Sequence, residues 1–179
     1  MHINRRAMLG AGASAIAGLT LPGAIVAQER AGAGELVAGG GAIETALGTI
    51  DFGLVASVDA EGTVTGELTL RDMTQPGNPT ILQSTQLNRL EPIAEGSDSG
   101  RRLVGWASAG GQTALFVLEV EDLGGAGSGE DTFHLAVGEA AAPFLEGEEQ
   151  SACDCANYSY GVEGPVVSGD ILIVPAPDA

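Results

Sequence analysis

Ile50-Asp51-Phe52-Gly53-Leu54-Val55-Ala56-Ser57-Val58, then Asp59-Ala60-Glu61-Gly62, then Thr63-Val64-Thr65-Gly66-Glu67-Leu68-Thr69-Leu70, is the stretch that decides the fold. In the first run Ile50, Phe52, Leu54, Ala56 and Val58 share one face of a strand. In the second, Val64, Gly66, Leu68 and Leu70 share a face, and Thr63, Thr65, Glu67 and Thr69 lie opposite. Two alternating runs joined by a short Asp/Gly turn predict a β-hairpin.

The same signal recurs outward from this hairpin. Thr80 to Leu90, Leu103 to Ala107, Thr113 to Val120, Thr132 to Val137, Tyr158 to Val162 and Ile171 to Val174 are strand-like and separated by Gly, Pro, Asp and Ser clusters. Gly39-Gly40-Gly41 reads as a bend or bulge after a first edge strand. No helical period is sustained, apart from one turn expected at Ala140-Ala141-Ala142 before Pro143. The expected fold is all-β, an antiparallel β-sandwich or flattened barrel of about eight or nine short strands. Phe52, Leu54, Leu68, Phe116, Leu118 and Phe133 are expected in one core, with Trp106 filling a gap in it.

Upstream, Asn4-Arg5-Arg6-Ala7-Met8-Leu9 places an arginine pair before an uncharged Gly/Ala-rich stretch that runs to Ala27 and is broken by Pro22. This reads as a twin-arginine export signal, residues 1–27. The stretch is too mildly apolar for a membrane anchor, which needs roughly 20 strongly apolar residues. Residues 28–35 are expected as a flexible lead-in, 36–175 as a single β-sandwich domain, and 176–179 as a tail. The expected location is periplasmic or extracellular, with association at the cell surface a further expectation and no stable membrane anchor after cleavage.

Cleavage after Ala27 would leave five Arg, no Lys and 24 acidic residues, a net charge near −19. Such a charge repels nucleic acid and anionic membranes and favours solubility in saline surroundings. The acids are interspersed with apolar residues, which argues for a folded, acid-coated surface rather than a disordered tail.

Gly39-Gly40-Gly41, the run Phe116-Val117-Leu118-Glu119-Val120-Glu121-Asp122, the segment Gly127-Ser128-Gly129-Glu130-Asp131-Thr132-Phe133-His134-Leu135 and the closing Ser168-Gly169-Asp170-Ile171-Leu172-Ile173 are notable together. They resemble the bacterial extracellular β-domain family described as the post-COAP-1 type, over about Leu36 to Val174. The resemblance implies a secreted β-sandwich and supplies no catalytic residues. This chain departs from the family in its longer Phe144–Asn157 segment, which holds both cysteines.

Those cysteines, Cys153 and Cys155, form the sharpest local feature. Outside the cytoplasm they are expected to oxidise to a local disulfide. On the chain-entropy model such a small loop contributes only about 1.5 kcal/mol, against about 3 for a 15-residue loop. A redox pair, a metal-ligand pair or bridges to another chain are the alternatives. A structural zinc site needs four ligands. Downstream of Ala27 there is one histidine, His134, on the outward face of its strand and expected to be solvated. No nucleophile elbow, phosphate loop or dinucleotide fingerprint occurs.

Glu121, Asp122, Glu130 and Asp131 bracket a Gly/Ser turn and offer oxygens to a hard cation such as Ca²⁺; the alternative is a solvated hairpin tip. Tyr158 and Tyr160 share a strand face, either as a sugar-stacking platform or as core filling. The functional expectation is an exported, non-catalytic module acting on an unknown extracellular ligand or protein, with no cofactor beyond the calcium possibility. The alternative is a small exported redox or metal-dependent protein using Cys153 and Cys155. Replacing Arg5 and Arg6 together by Lys should leave full-length precursor in the cytoplasm. Fractionation and immunoblotting check this, and normal export of the double variant would point to the general secretory route.

Overall fold

The computed structural model describes residues 34–75, 77, 79–94, 98–145 and 158–176. Its strands are β1 (Glu35–Thr45), β2 (Gly48–Val58), β3 (Val64–Asp72), β4 (Thr80–Pro92), β5 (Gly100–Ala109), β6 (Gln112–Glu121), β7 (Thr132–Gly138) and β8 (Ser159–Val174). Each pairs antiparallel with its predecessor, and β8 returns to pair with β1, so the sheet closes into an eight-stranded barrel. Of the two all-β arrangements expected, the barrel is the one formed. The quoted hairpin is β2–β3, with Leu54 opposite Leu68 and Phe52 opposite Leu70. Its turn is held by the Asp59 carboxylate, which accepts the Glu61 amide at 3.1 Å and the Thr63 amide at 2.7 Å.

Alternation sends one face of every strand into the barrel. Phe52, Leu54, Leu68, Phe116, Leu118 and Phe133 are all buried in that interior, as the period predicts. Phe52 and Phe133 meet there as tilted rings with centroids 4.8 Å apart. An eight-stranded barrel is just wide enough for side chains to fill it, and here they do.

A second, smaller apolar cluster lies outside the wall. The 3-10 helix Glu139–Phe144 packs over β5, β6 and β7, where Ala141 and Leu145 cover Val104, Leu115, Val117 and Ala136. The helical turn expected at Ala140–Ala142 therefore exists and extends through Pro143. Trp106 belongs to this outer cluster and not to the interior, because it sits one position out of phase with Leu103, Ala107 and Ala109. The uninterrupted run Ala114-Leu115-Phe116-Val117-Leu118 has the same cause: β6 is covered on both faces, and neither phase faces water.

Two expectations at the closure are corrected. The first strand is not an edge: β1 continues through Gly39-Gly40-Gly41 and has β2 on one side and β8 on the other. The irregularity falls slightly later, as a register shift between Ala42 and Ile43. The segments expected as separate strands at Tyr158–Val162 and Ile171–Val174 are the two ends of one 16-residue strand, β8. Glycine is required at this seam. A Cβ at Gly41 would overlap the Ser168 carbonyl, and one at Gly169, where φ is 90°, would overlap the carbonyl of Gly40.

Phe116 is fully buried at the centre of the interior. Phe116→Ala should cost about 3–5 kcal/mol in denaturant unfolding, whereas His134→Ala on the outer face should cost far less. Equal losses would contradict the inward phase of β6.

Candidate functional site

Meandering strands divide the connections between two barrel ends. The near end holds the β1–β2, β3–β4 and β5–β6 turns and the 3-10 helix; the far end holds the β2–β3, β4–β5 and β6–β7 connections. At each end a polar pair stands on the inward phase of its strands.

At the near end, Asp72 continues the inward phase of Leu68 and Leu70 and is buried. Its Oδ1 accepts the Thr74 amide at 2.9 Å and the Thr74 hydroxyl at 2.6 Å, and its Oδ2 accepts the Tyr160 hydroxyl at 3.1 Å. Burial alone would raise this carboxyl, but the Thr74 and Tyr160 hydrogen bonds together hold it below the usual carboxylate value. Tyr160 is pushed well above the ordinary tyrosine value, first by burial and then by the neighbouring Asp72 charge. Tyr158 is raised by burial as well, against an opposing hydrogen bond with Thr80. Tyr158 and Tyr160 share a face, and that face looks into the barrel, packed against the core. This is the core-filling arrangement, with the Tyr160 hydroxyl tying β8 across the mouth to β3.

At the far end, Arg101 continues the inward phase of Leu103 and is buried. Its Nε donates to Glu35 Oε1, and its Nη1 donates to the Gly100 carbonyl at 2.8 Å. Burial pulls the guanidinium down from its ordinary value. Neither polar pair was expected from the sequence, yet the signal was present. Asp72 and Arg101 are charged residues at positions where period two calls for an apolar side chain.

The four acids named around the β6–β7 connection have separate roles. Glu121 accepts the Thr132 hydroxyl at 2.9 Å. Asp122 accepts the Ile173 amide at 3.2 Å. Glu130 is exposed. Asp131, in contrast to a solvated tip, is 3% exposed. Its Oδ1 accepts the Leu123 and Gly124 amides at 3.0 and 3.2 Å, and its Oδ2 accepts the Ile171 amide at 3.1 Å. Of the four acids expected for Ca²⁺, Asp122 and Asp131 accept backbone amides and Glu121 accepts a hydroxyl. Among the described residues, no three His, Cys, Asp or Glu side chains are grouped to hold a metal ion.

His134 is half-buried rather than freely solvated. It stacks edge-on against Phe144 with centroids 5.2 Å apart, and its Nδ1 lies 3.7 Å from Glu119 Oε2. It stands between Glu119 and Glu163 in an outer cross-strand row, Glu91, Arg102, Glu119, His134 and Glu163, in which Arg102 donates to Glu119 at 2.6 and 2.9 Å. Beside it runs a shallow groove of about 540 Å³ lined by Glu44, Thr45, Thr132, His134, Glu163 and Pro165. Cys153 and Cys155, and Arg5 and Arg6, lie outside the described residues.

No family model, no curated protein and no solved structure matches this chain. What distinguishes it is its own geometry: a filled barrel bracketed by Asp72–Tyr160 at one end and Glu35–Arg101 at the other.

Tyr160→Phe removes a hydrogen bond to a buried charge and should cost about 1.5–3 kcal/mol at pH 7. The native Asp72 pKa is lowered, so its contribution is present above the ordinary value of 3.8 and is lost as pH falls through the lower native value. Denaturant unfolding at pH 7 and in acid should therefore show a gap that narrows in acid. Equal stability of the two proteins at pH 7 would exclude the closing role of Tyr160.

Proposed function

We propose that this chain is an exported, non-catalytic interaction module that meets an extracellular partner with the outside of its barrel. The observation that carries the reading is the contrast between a filled interior and an exposed apolar outer face. Leu172 and Val174 point outward on β8, exposed Leu123 follows Asp122, which accepts the Ile173 amide between them, and the register sets Leu172 opposite Ala38, which lies opposite Val55. Contiguous exposed apolar surface of this kind marks a contact site.

Two further features support it. General acid–base catalysis is most effective with a group that titrates near the working pH. Asp72 is held low and Tyr160 is held high, so at neutral pH they remain carboxylate and phenol. The wall is apolar within and carries Asp51, Glu67, Arg102 and Glu119 outside, the reverse of a barrel with its apolar band facing lipid. Among the described residues no helix is long and apolar enough to cross a membrane. Export, a disulfide between Cys153 and Cys155, and the likeness of the Gly127–Leu135 segment to extracellular β-domains belong to the same reading.

Leu172 and Val174 are exposed, so replacing both by Ser should change stability by only about 0.5 kcal/mol per site. In fractionated cells the wild-type chain should accompany the envelope, and the double variant should move to the soluble exported fraction with its Tm retained. An unchanged distribution would remove this face as the contact surface.

A further inference from the structure

β7 is only seven residues long, and its pairing with β8 stops at Thr132 opposite Pro165. β8 continues to Val174 along β1, leaving its other side without a strand over nine residues. The β6–β7 connection occupies that side. Val166 donates its amide to the Asp131 carbonyl at 2.9 Å, Gly127 donates to the Gly169 carbonyl at 2.9 Å, and the Asp131 and Asp122 carboxylates accept Ile171 and Ile173. Side-chain carboxylates thus do the work of a missing strand.

A third carboxyl stands in the same place. Asp170 precedes Ile171, whose amide donates to Asp131, so the two carboxyls lie side by side, and Asp170 Oδ1 is buried without a donor among the described residues. Two carboxyl groups in hydrogen-bond contact need one proton between them. Both Asp131 oxygens already accept backbone amides, so the hydrogen shared between the two carboxyls belongs on Asp170. We propose that the barrel seam carries a proton latch, in which a protonated Asp170 donates to the Asp131 carboxylate and fastens β8 to the β6–β7 connection. Loss of that proton to solvent places two adjacent carboxylates at the seam and loosens it.

The surroundings favour this assignment. Asp122 and Asp131 face Asp170 from the connection, and Glu121 at the end of β6 is held by Thr132. β1 has no titratable residue between Leu36 and Ile43. Arg101 on β5, a buried cation, donates to Glu35 and Gly100. Burial first, then the Asp131 and Asp122 charges, raise the Asp170 carboxyl above its ordinary value of 3.8. A raised native value means the latch contributes fully below that ordinary value, and its contribution is lost as pH rises through the native one.

Three measurements on the purified chain test it, at constant ionic strength so that screening of the acidic surface is equal throughout. The carbon-13 carboxyl resonance of Asp170 in the wild-type protein should titrate above the ordinary aspartate value. Over the same range, hydrogen exchange should show the Ile171 and Ile173 amides losing protection as pH rises. Asp170→Asn keeps a donor toward Asp131 and carries no charge. It should hold that protection at all pH values and raise Tm relative to wild type at pH 7 but not at pH 4. An ordinary Asp170 titration, or parallel Tm curves for the two proteins, would overturn the latch.

Discussion

Closing a sheet on itself obliges the first and last strands to pair along the whole height of the wall, although neighbouring strands differ in length. β8 meets this obligation by serving two partners, β7 with its first half and β1 with its second. The remaining side of the second half is satisfied by Asp122, Asp131 and the carbonyl of Asp131. Buried amides left without acceptors would cost about 1–3 kcal/mol each. The irregular β6–β7 connection is therefore part of the wall. The glycines at 41 and 169 let β1 and β8 approach closely enough for the pairing to form.

With the seam held, the two polar pairs act as end plates of an apolar column. Arg101–Glu35 is a buried ion pair, whose attraction must first offset the desolvation of both charges. Its contribution is therefore to orientation, fixing β5 against β1 across the far end. Asp72–Tyr160 links β3 to β8 at the near end and involves one charge rather than two. Both pairs join strands that are not neighbours in the sheet, and so they resist flattening of the barrel.

The strands were legible in the sequence because period two depends only on each strand having one wet and one dry face. The β2–β3 hairpin and the shared core of Phe52, Leu68, Phe116 and Phe133 follow from that rule. Closure was not legible. The pairing of Leu36 with Val174 depends on neither local alternation nor turn chemistry, and a sandwich satisfies both equally well. β8 looked like two strands because Pro165 and Gly169, ordinarily punctuation, are tolerated where the strand changes partners. Trp106 was misplaced for lack of a signal that the 3-10 helix would make the outside of β5 dry. At the candidate sites, the acids near residues 121–131 were visible as a group. Their division into buried acceptor, seam acceptor and exposed side chain required knowing that β8 passes beneath them.

The order of strands around the wall has a kinetic consequence. Seven of the eight pairings join consecutive strands, so each can form as a hairpin or meander step with little loop-closure entropy. The eighth joins residues 36 and 174 and must await the assembly of everything between them. High contact order of this kind slows folding, and interactions absent from the transition state act chiefly on the unfolding rate. Gly41, Gly169 and Asp131 would then set how long the closed barrel lasts once made, while the β2–β3 turn at Asp59 sets how quickly assembly begins.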